Sequence, residues 1–141
     1  MSFIKQFVLV LWASPTTIIA TAIGVLGLPF GTKFRRQGRT LEIYGGVVEW
    51  LLSKTPVDAL AMTLGHVIWG QNSASLDFCR EHELIHVRQY ERWGPFFIPL
   101  YFYYSFLMWL TGKHPYYDNP FEREAFGECH PHYKHQKPSN E

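Results

Sequence analysis

His82-Glu83-Leu84-Ile85-His86 sets two imidazoles four residues apart with a carboxylate beside the first. On a helix, four residues advance about 40° beyond one full turn, so both rings project from one side. Nitrogens placed this way can reach a single Zn²⁺ at about 2.0–2.1 Å. Glu83 then faces a metal-bound water rather than the metal. Zinc lowers the pKa of that water toward about 7, and the carboxylate takes its proton as it attacks a carbonyl. The same carboxyl can return the proton to a leaving amine. A catalytic site of this kind needs a third protein ligand and an open fourth position. Residues 118–125 (DNPFEREA) read as a helix start, with Asn119 as N-cap and Pro120 at the first position. They carry two candidate ligands, Glu122 and Glu124. Glu122 also stands where a capping box would use it, bonded back to the Asn119 backbone.

HELIH followed by Val87-Arg88-Gln89-Tyr90, and then NPFEREA, resembles small bacterial zinc metallopeptidase domains of the gluzincin type. It is also similar to membrane-bound HtpX-type and CAAX-prenyl endoproteases, whose second motif is ExxAD. The resemblance covers about residues 64–126 and implies a zincin-like fold acting on a peptide or protein substrate at a bacterial inner membrane. Laid on ExxA, Glu122-Arg123-Glu124-Ala125 makes Glu122 the ligand. Phe126 replaces the motif's aspartate and so removes a carboxylate from behind the metal. The alternative register uses Glu124, with Glu128 in that supporting place. In gluzincin-like folds a sheet edge beside the HExxH helix holds substrate extended, which here points to residues 64–68, with Leu64, Gly65 and His66 at the substrate.

The elements that must position these groups follow from periodicity. Leu76, Cys79, Leu84, Val87 and Tyr90 recur at helical spacing through a charged run that stops at Gly94-Pro95. Residues 40–50 alternate apolar and polar around Gly45-Gly46 and predict a strand pair or a kinked strand. Residues 59–69 predict a further strand ending at the turn cluster 70–73. Residues 7–30 carry no charge and are long enough for a hydrocarbon core of about 30 Å. Ser14-Pro15 divides them into an apolar lead-in and a helix over residues 15–28, Ser14 acting as its cap. The competing reading is a signal peptide cleaved after Ala20-Thr21-Ala22. Lys33, Arg35, Arg36 and Arg39 then mark a membrane flank or a solvated loop.

Residues 95–112 form a second uncharged run. A single membrane crossing there would put His86 and the downstream glutamate on opposite faces, about 30 Å apart, where they cannot share one ion. The segment must therefore re-enter and break at Pro99, or pack in the core or the interface, with its aromatics as a headgroup belt or a buried wall.

The chain has 141 residues, 47% of them hydrophobic, 17% aromatic and only 18% charged, with a formal net charge of +1. That excludes a disordered chain and gives no basic footprint for nucleic acid. Two cysteines exclude a disulfide-built scaffold. Cys79 falls about 60° from His82 around the helix, so it is either a fourth ligand or a small buried hydrophobe. His66 could polarise a substrate carbonyl or be satisfied by its neighbours. His114, Tyr116 and Tyr117 are candidates for stabilising an oxyanion. His130, His132 and His135 lie in a polar tail over residues 128–141 that reads as loose.

The sequence thus predicts one α+β domain over residues 1–141, mostly helical, with a small sheet beside the HExxH helix. Apolar membrane-associated helices include an N-terminal segment over residues 1–32. The predicted cofactor is Zn²⁺, held by His82, His86 and Glu122 or Glu124, with Glu83 as base. The activity is peptide hydrolysis, or, without turnover, a zinc-stabilised module that binds a membrane surface. Oligomeric state is not legible in the sequence.

Overall fold

A computed structural model describes residues 2–129, with the backbone alone for Glu128 and Cys129. The tail histidines and the role considered for Glu128 lie outside that description. The elements are α1 (Phe3–Trp12), α2 (Ser14–Leu26), β1 (Lys33–Gln37), β2 (Thr40–Tyr44), α3 (Gly46–Ser53), β3 (Ala61–Leu64), β4 (Val67–Gly70), α4 (Ser73–Trp93), α5 (Phe97–Leu110) and α6 (Pro120–Cys129). Helices and a small sheet together make the α+β class that the sequence predicts.

The sheet runs β1-β2-β4-β3, with β2 and β4 parallel and the outer pairs antiparallel. Parallel neighbours need a crossover, and α3 begins it. Gly45 and Gly46 have φ of 75° and 54°, and a Cβ on Gly46 would lie 2.5 Å from the Phe30 carbonyl. This left-handed pair ends β2 and turns the chain out of the sheet. The predicted continuation of strand to Trp50 is therefore a helix, whose Val48 and Leu52 enter the core four residues apart. The expected single strand over residues 59–69 is a hairpin, folded at Gly65 (φ 69°) and His66. The basic cluster is not the solvated loop considered for it: Lys33, Arg35 and Arg36 lie in β1, paired to β2.

Alternation along β4 divides the core into two faces. Val67 and Trp69 meet Ala20 of α2, Ile43 of β2, and Val48 and Leu52 of α3. Ile68 faces the other way, onto Leu76 and Val87 of α4. Glu42 lies on that second side, fully buried, with its oxygens 2.7 Å from Arg35 Nε and 2.9 Å from Arg80 Nε. A buried carboxylate left without partners costs several kcal/mol, about 3–5. This pairing therefore fixes how far along β2 the helix α4 sits.

The N-terminal lead-in is itself helical. Ser2 caps α1 by accepting from the Lys5 N–H at 3.3 Å, whereas Ser14 makes no cap and lies in the first turn of α2. Ala20 is 1% exposed, and a Cβ on Gly24 would come within 2.8 Å of Ile43. One face of α2 is thus part of the main core, and cleavage after Ala22 would remove Ala20 from it. No single described helix is long and apolar enough to cross a membrane, although α1 and α2 would be so together but for a 67° bend.

Residues 97–110 form one continuous helix, unbroken at Pro99. Proline is tolerated there because first-turn N–H groups have no intrahelical acceptor to lose. The chain then returns through residues 111–119 to α6. Asn119 is buried and anchors that return, its Nδ2 donating to Tyr101 O at 3.0 Å and Ser105 Oγ at 2.8 Å. Its Oδ1 accepts from the Phe121 N–H at 3.0 Å, as expected of an N-cap.

Candidate metal centre

The 21-residue helix α4 is capped at Asn72, whose Oδ1 accepts from the Ser75 N–H at 2.9 Å. It carries His82 and His86 on the side that α6 covers. Their Nε2 atoms lie 3.1 Å apart. Glu122 Oε2, from α6, is 3.1 Å from His82 Nε2 and 3.4 Å from His86 Nε2. Two ligands at about 2.0–2.1 Å from a tetrahedral ion would themselves be about 3.3 Å apart. The three donors already hold that spacing. Among the described residues, these three form the group able to hold a metal ion, and neither Cys79 nor His114 belongs to it.

The two glutamates divide their work. Glu122 is 4% exposed, and its second oxygen accepts from Tyr101 Oη at 2.7 Å. Both oxygens are engaged in the site, so the capping-box role does not apply. Asn119 N–H instead donates to the Tyr116 carbonyl. Glu124 turns to Gln89 Nε2 at 2.8 Å and lies 3.7 Å from Arg92. Burial works against charge on Glu122, but His86 and His82 outweigh it and hold the carboxyl well below the usual carboxylate range. Burial likewise disfavours an imidazolium at His86, yet the Glu122 carboxylate carries it up to about 9.

The metal motif itself does not single out Gln89. It is 1% exposed, and its Oε1 lies 2.8 Å from His86 Nδ1. An amide oxygen there accepts a hydrogen bond from Nδ1–H and, in the neutral ring, leaves the Nε2 lone pair facing the other ligand atoms. Its Nε2 donates to the Phe121 carbonyl at 3.0 Å and to Glu124. One side chain thus orients a histidine and ties α6 to α4. The spacing His86 to Gln89, three residues on a helix, was the available signal. Gln89→Ala is expected to weaken metal affinity about 10–100-fold, measured by competition with a chelator.

His82 has no such support. Its Nδ1 is buried with no hydrogen-bond partner among the described residues, and its ring packs 4.4 Å from that of Phe126. The side chain standing where the similar motif has aspartate is thus a ring against a ring.

Glu83 is 5% exposed. Thr63 Oγ1, on the sheet's edge strand β3, donates to its Oε2 at 2.6 Å and to its backbone carbonyl at 3.1 Å. Nothing in the sequence marks Thr63, because only the packing of β3 against α4 brings the two together. The sheet edge beside the HExxH helix is β3, which contains Leu64; Gly65 and His66 form the turn that follows. His66 does not face the metal group. Its Nε2 pairs with Glu91 Oε1 at 3.0 Å, and Glu91 lies about 12 Å along α4 from Glu83.

Of the three oxyanion candidates, Tyr116 adjoins the site. Burial, then the nearby charges of Glu122 and Glu83, push its phenol up. Tyr117 is 37% exposed, and exposed His114 uses Nδ1 to accept the Tyr116 and Tyr117 N–H groups at 3.1 Å. Cys79 is half-buried, and burial, helped by Glu83, pushes its thiol up to about 11. A group with that pKa is a protonated thiol at neutral pH, as for a small hydrophobe.

Comparison with protein-family models, curated proteins and solved structures finds no match to this chain.

Proposed function

We propose that the protein is a zinc-dependent metallopeptidase of the gluzincin type, with His82, His86 and Glu122 as ligands and Glu83 as general base. The observation that carries this reading is the triangle of donors at 3.1, 3.1 and 3.4 Å. Two imidazoles and one carboxylate are a ligand set of catalytic zinc, which keeps a position open for substrate. When bound, zinc supplies a Lewis acid that acidifies water and polarises a carbonyl. Everything else falls to the chain's own side chains. Thr63 holds Glu83 Oε2, so that the carboxylate keeps one orientation while it accepts a proton and later returns it to the amine. Tyr101 and Gln89 fix Glu122 and His86, which sets the positions of the ligands before any substrate arrives. Tyr116 holds a neutral phenol beside Glu122 and can donate to developing negative charge on the substrate.

Metal uptake should be coupled to protons. In the chelator-stripped protein His86 titrates at about 9, and only neutral imidazole binds metal. Apparent affinity is therefore expected to fall about tenfold per pH unit below that value and to level off above it. Near pH 7, binding should expel the His86 proton. Calorimetry in buffers of different ionisation enthalpy measures that proton, and equal heats in all of them would refute the coupling. The same pair sets a sign for stability without metal. The raised His86 pKa contributes fully below the ordinary histidine value of about 6.5, and its contribution is lost as pH rises through 9.

The decisive experiment for the function is zinc content and peptide hydrolysis measured on one purified protein. Zinc with no hydrolysis of any peptide library would leave the non-catalytic binding module as the better account.

A further inference from the structure

Charge is divided unevenly along this chain. Residues 1–41 contain Lys5, Lys33, Arg35, Arg36 and Arg39 and no acid, and residues 93–117 contain Lys113 and no acid. All 12 acidic residues lie in the rest of the chain, together with the other seven lysines and arginines. The two acid-free stretches build α1, α2 and α5. Among the described residues they also supply 21 of the 26 large apolar side chains left exposed. Phe3 is 84% exposed, Leu26 73%, Phe102 66% and Trp109 61%. Trp12 and Phe96, with ring centroids 6.2 Å apart, join the end of α1 to the start of α5. Apolar surface on this scale marks a contact with something other than water.

We propose that α1, the outer face of α2 and the outer face of α5 lie on an anionic lipid bilayer. Their apolar side chains would enter the acyl boundary, with Lys5, Lys33, Arg36 and Lys113 among the headgroups. Three observations choose this occupant and this depth. Arg35 and Arg39 are paired with Asp77 and Glu91, but Lys5, Lys33, Arg36 and Lys113 enter none of the ion pairs among the described residues and lie next to the apolar elements in the chain, which suits a negatively charged surface. A second copy of the chain, docked through the same patch about a two-fold axis, would set these cations against each other. Finally, α2 gives Ala20 and Gly24 to the sheet's core, and α5, at 14 residues, is about 21 Å long against about 30 Å of hydrocarbon. These helices therefore rest in the interface rather than cross it.

The placement adds something to the metal centre without depending on it. Phe97 and Tyr101, on the inner face of α5, contact His86 and Glu122, while Phe102 and Phe106 face outward. The bilayer surface would then be about one helix diameter, roughly 10 Å, from the ligands. Substrates reached there would be polypeptide segments at the membrane surface.

Flotation of the full-length protein with vesicles tests the proposal. It should float with phosphatidylcholine vesicles containing phosphatidylglycerol at least ten times more strongly than with phosphatidylcholine alone, and raised salt should reduce the difference. Phe102→Glu with Phe106→Glu should lower binding to both vesicle types at least tenfold at unchanged circular dichroism. Lys33→Glu with Arg36→Glu should remove the preference for anionic lipid alone. Chelation of metal should change none of this, so failure here is separable from failure of the peptidase reading. Absence of flotation, flotation indifferent to lipid charge, or a soluble homodimer that Phe102→Glu dissociates would each overturn it.

Discussion

Glu83→Gln is expected to bind zinc stoichiometrically and to hydrolyse peptides about 10²–10⁴-fold more slowly than the wild type. The size follows from the role: the amide cannot accept a proton at neutral pH, so the general-base contribution is lost while binding and polarisation persist. Folding should survive. The Thr63 hydroxyl donates to Glu83 Oε2, and a glutamine oxygen can accept the same bond. Circular dichroism and metal analysis verify the controls, and a cleavage assay reads the effect. A fully active variant would remove Glu83 from the chemistry and leave the donor triangle as a binding site only.

Glu122→Ala and Glu124→Ala should behave as opposites, although the residues are neighbours on one short helix. Glu122→Ala removes one of three ligands, leaving His82 and His86 with two vacant positions. The loss should exceed the 10–100-fold typical of a supporting residue, so that the purified protein carries no stoichiometric zinc. Glu124→Ala should keep its zinc and weaken it at most to that supporting level, because Glu124 reaches the site only through Gln89. The two predictions share a measurement, zinc per chain after dialysis. Zinc retained by Glu122→Ala and lost by Glu124→Ala would reverse the register and undo the ligand assignment.

Much of the candidate site was legible from spacing alone. The pair His82 and His86 and the intervening carboxylate need only a helix to stand together, and helical periodicity through α4 is a local property. The return of the chain after residue 112 was also legible, because His86 and a downstream glutamate can share one ion only if the intervening segment does not cross a membrane. The glycine pair was less readable. Alternation around Gly45-Gly46 looks like a strand in sequence, but both residues take positive φ, and the turn out of the sheet makes α3. Periodicity also could not tell that the Lys33 to Arg36 run pairs as a strand, since no position of β1 is buried to set a pattern.

By itself, the sequence determined the metal-capable pair, the carboxylate beside it, the α+β class and the two uncharged runs, all of them consequences of residue type and short-range period. Tertiary structure decided between Glu122 and Glu124, placed Gln89 behind His86 and Thr63 against Glu83, turned His66 toward Glu91, and left His82 against Phe126. Those contacts join residues 3 to 44 positions apart. All but the pairing of Gln89 with His86, which lies within one helix, depend on how helices and strands pack, and the rotation of a helix of ten residues by one position is too small a change for sequence pattern to register.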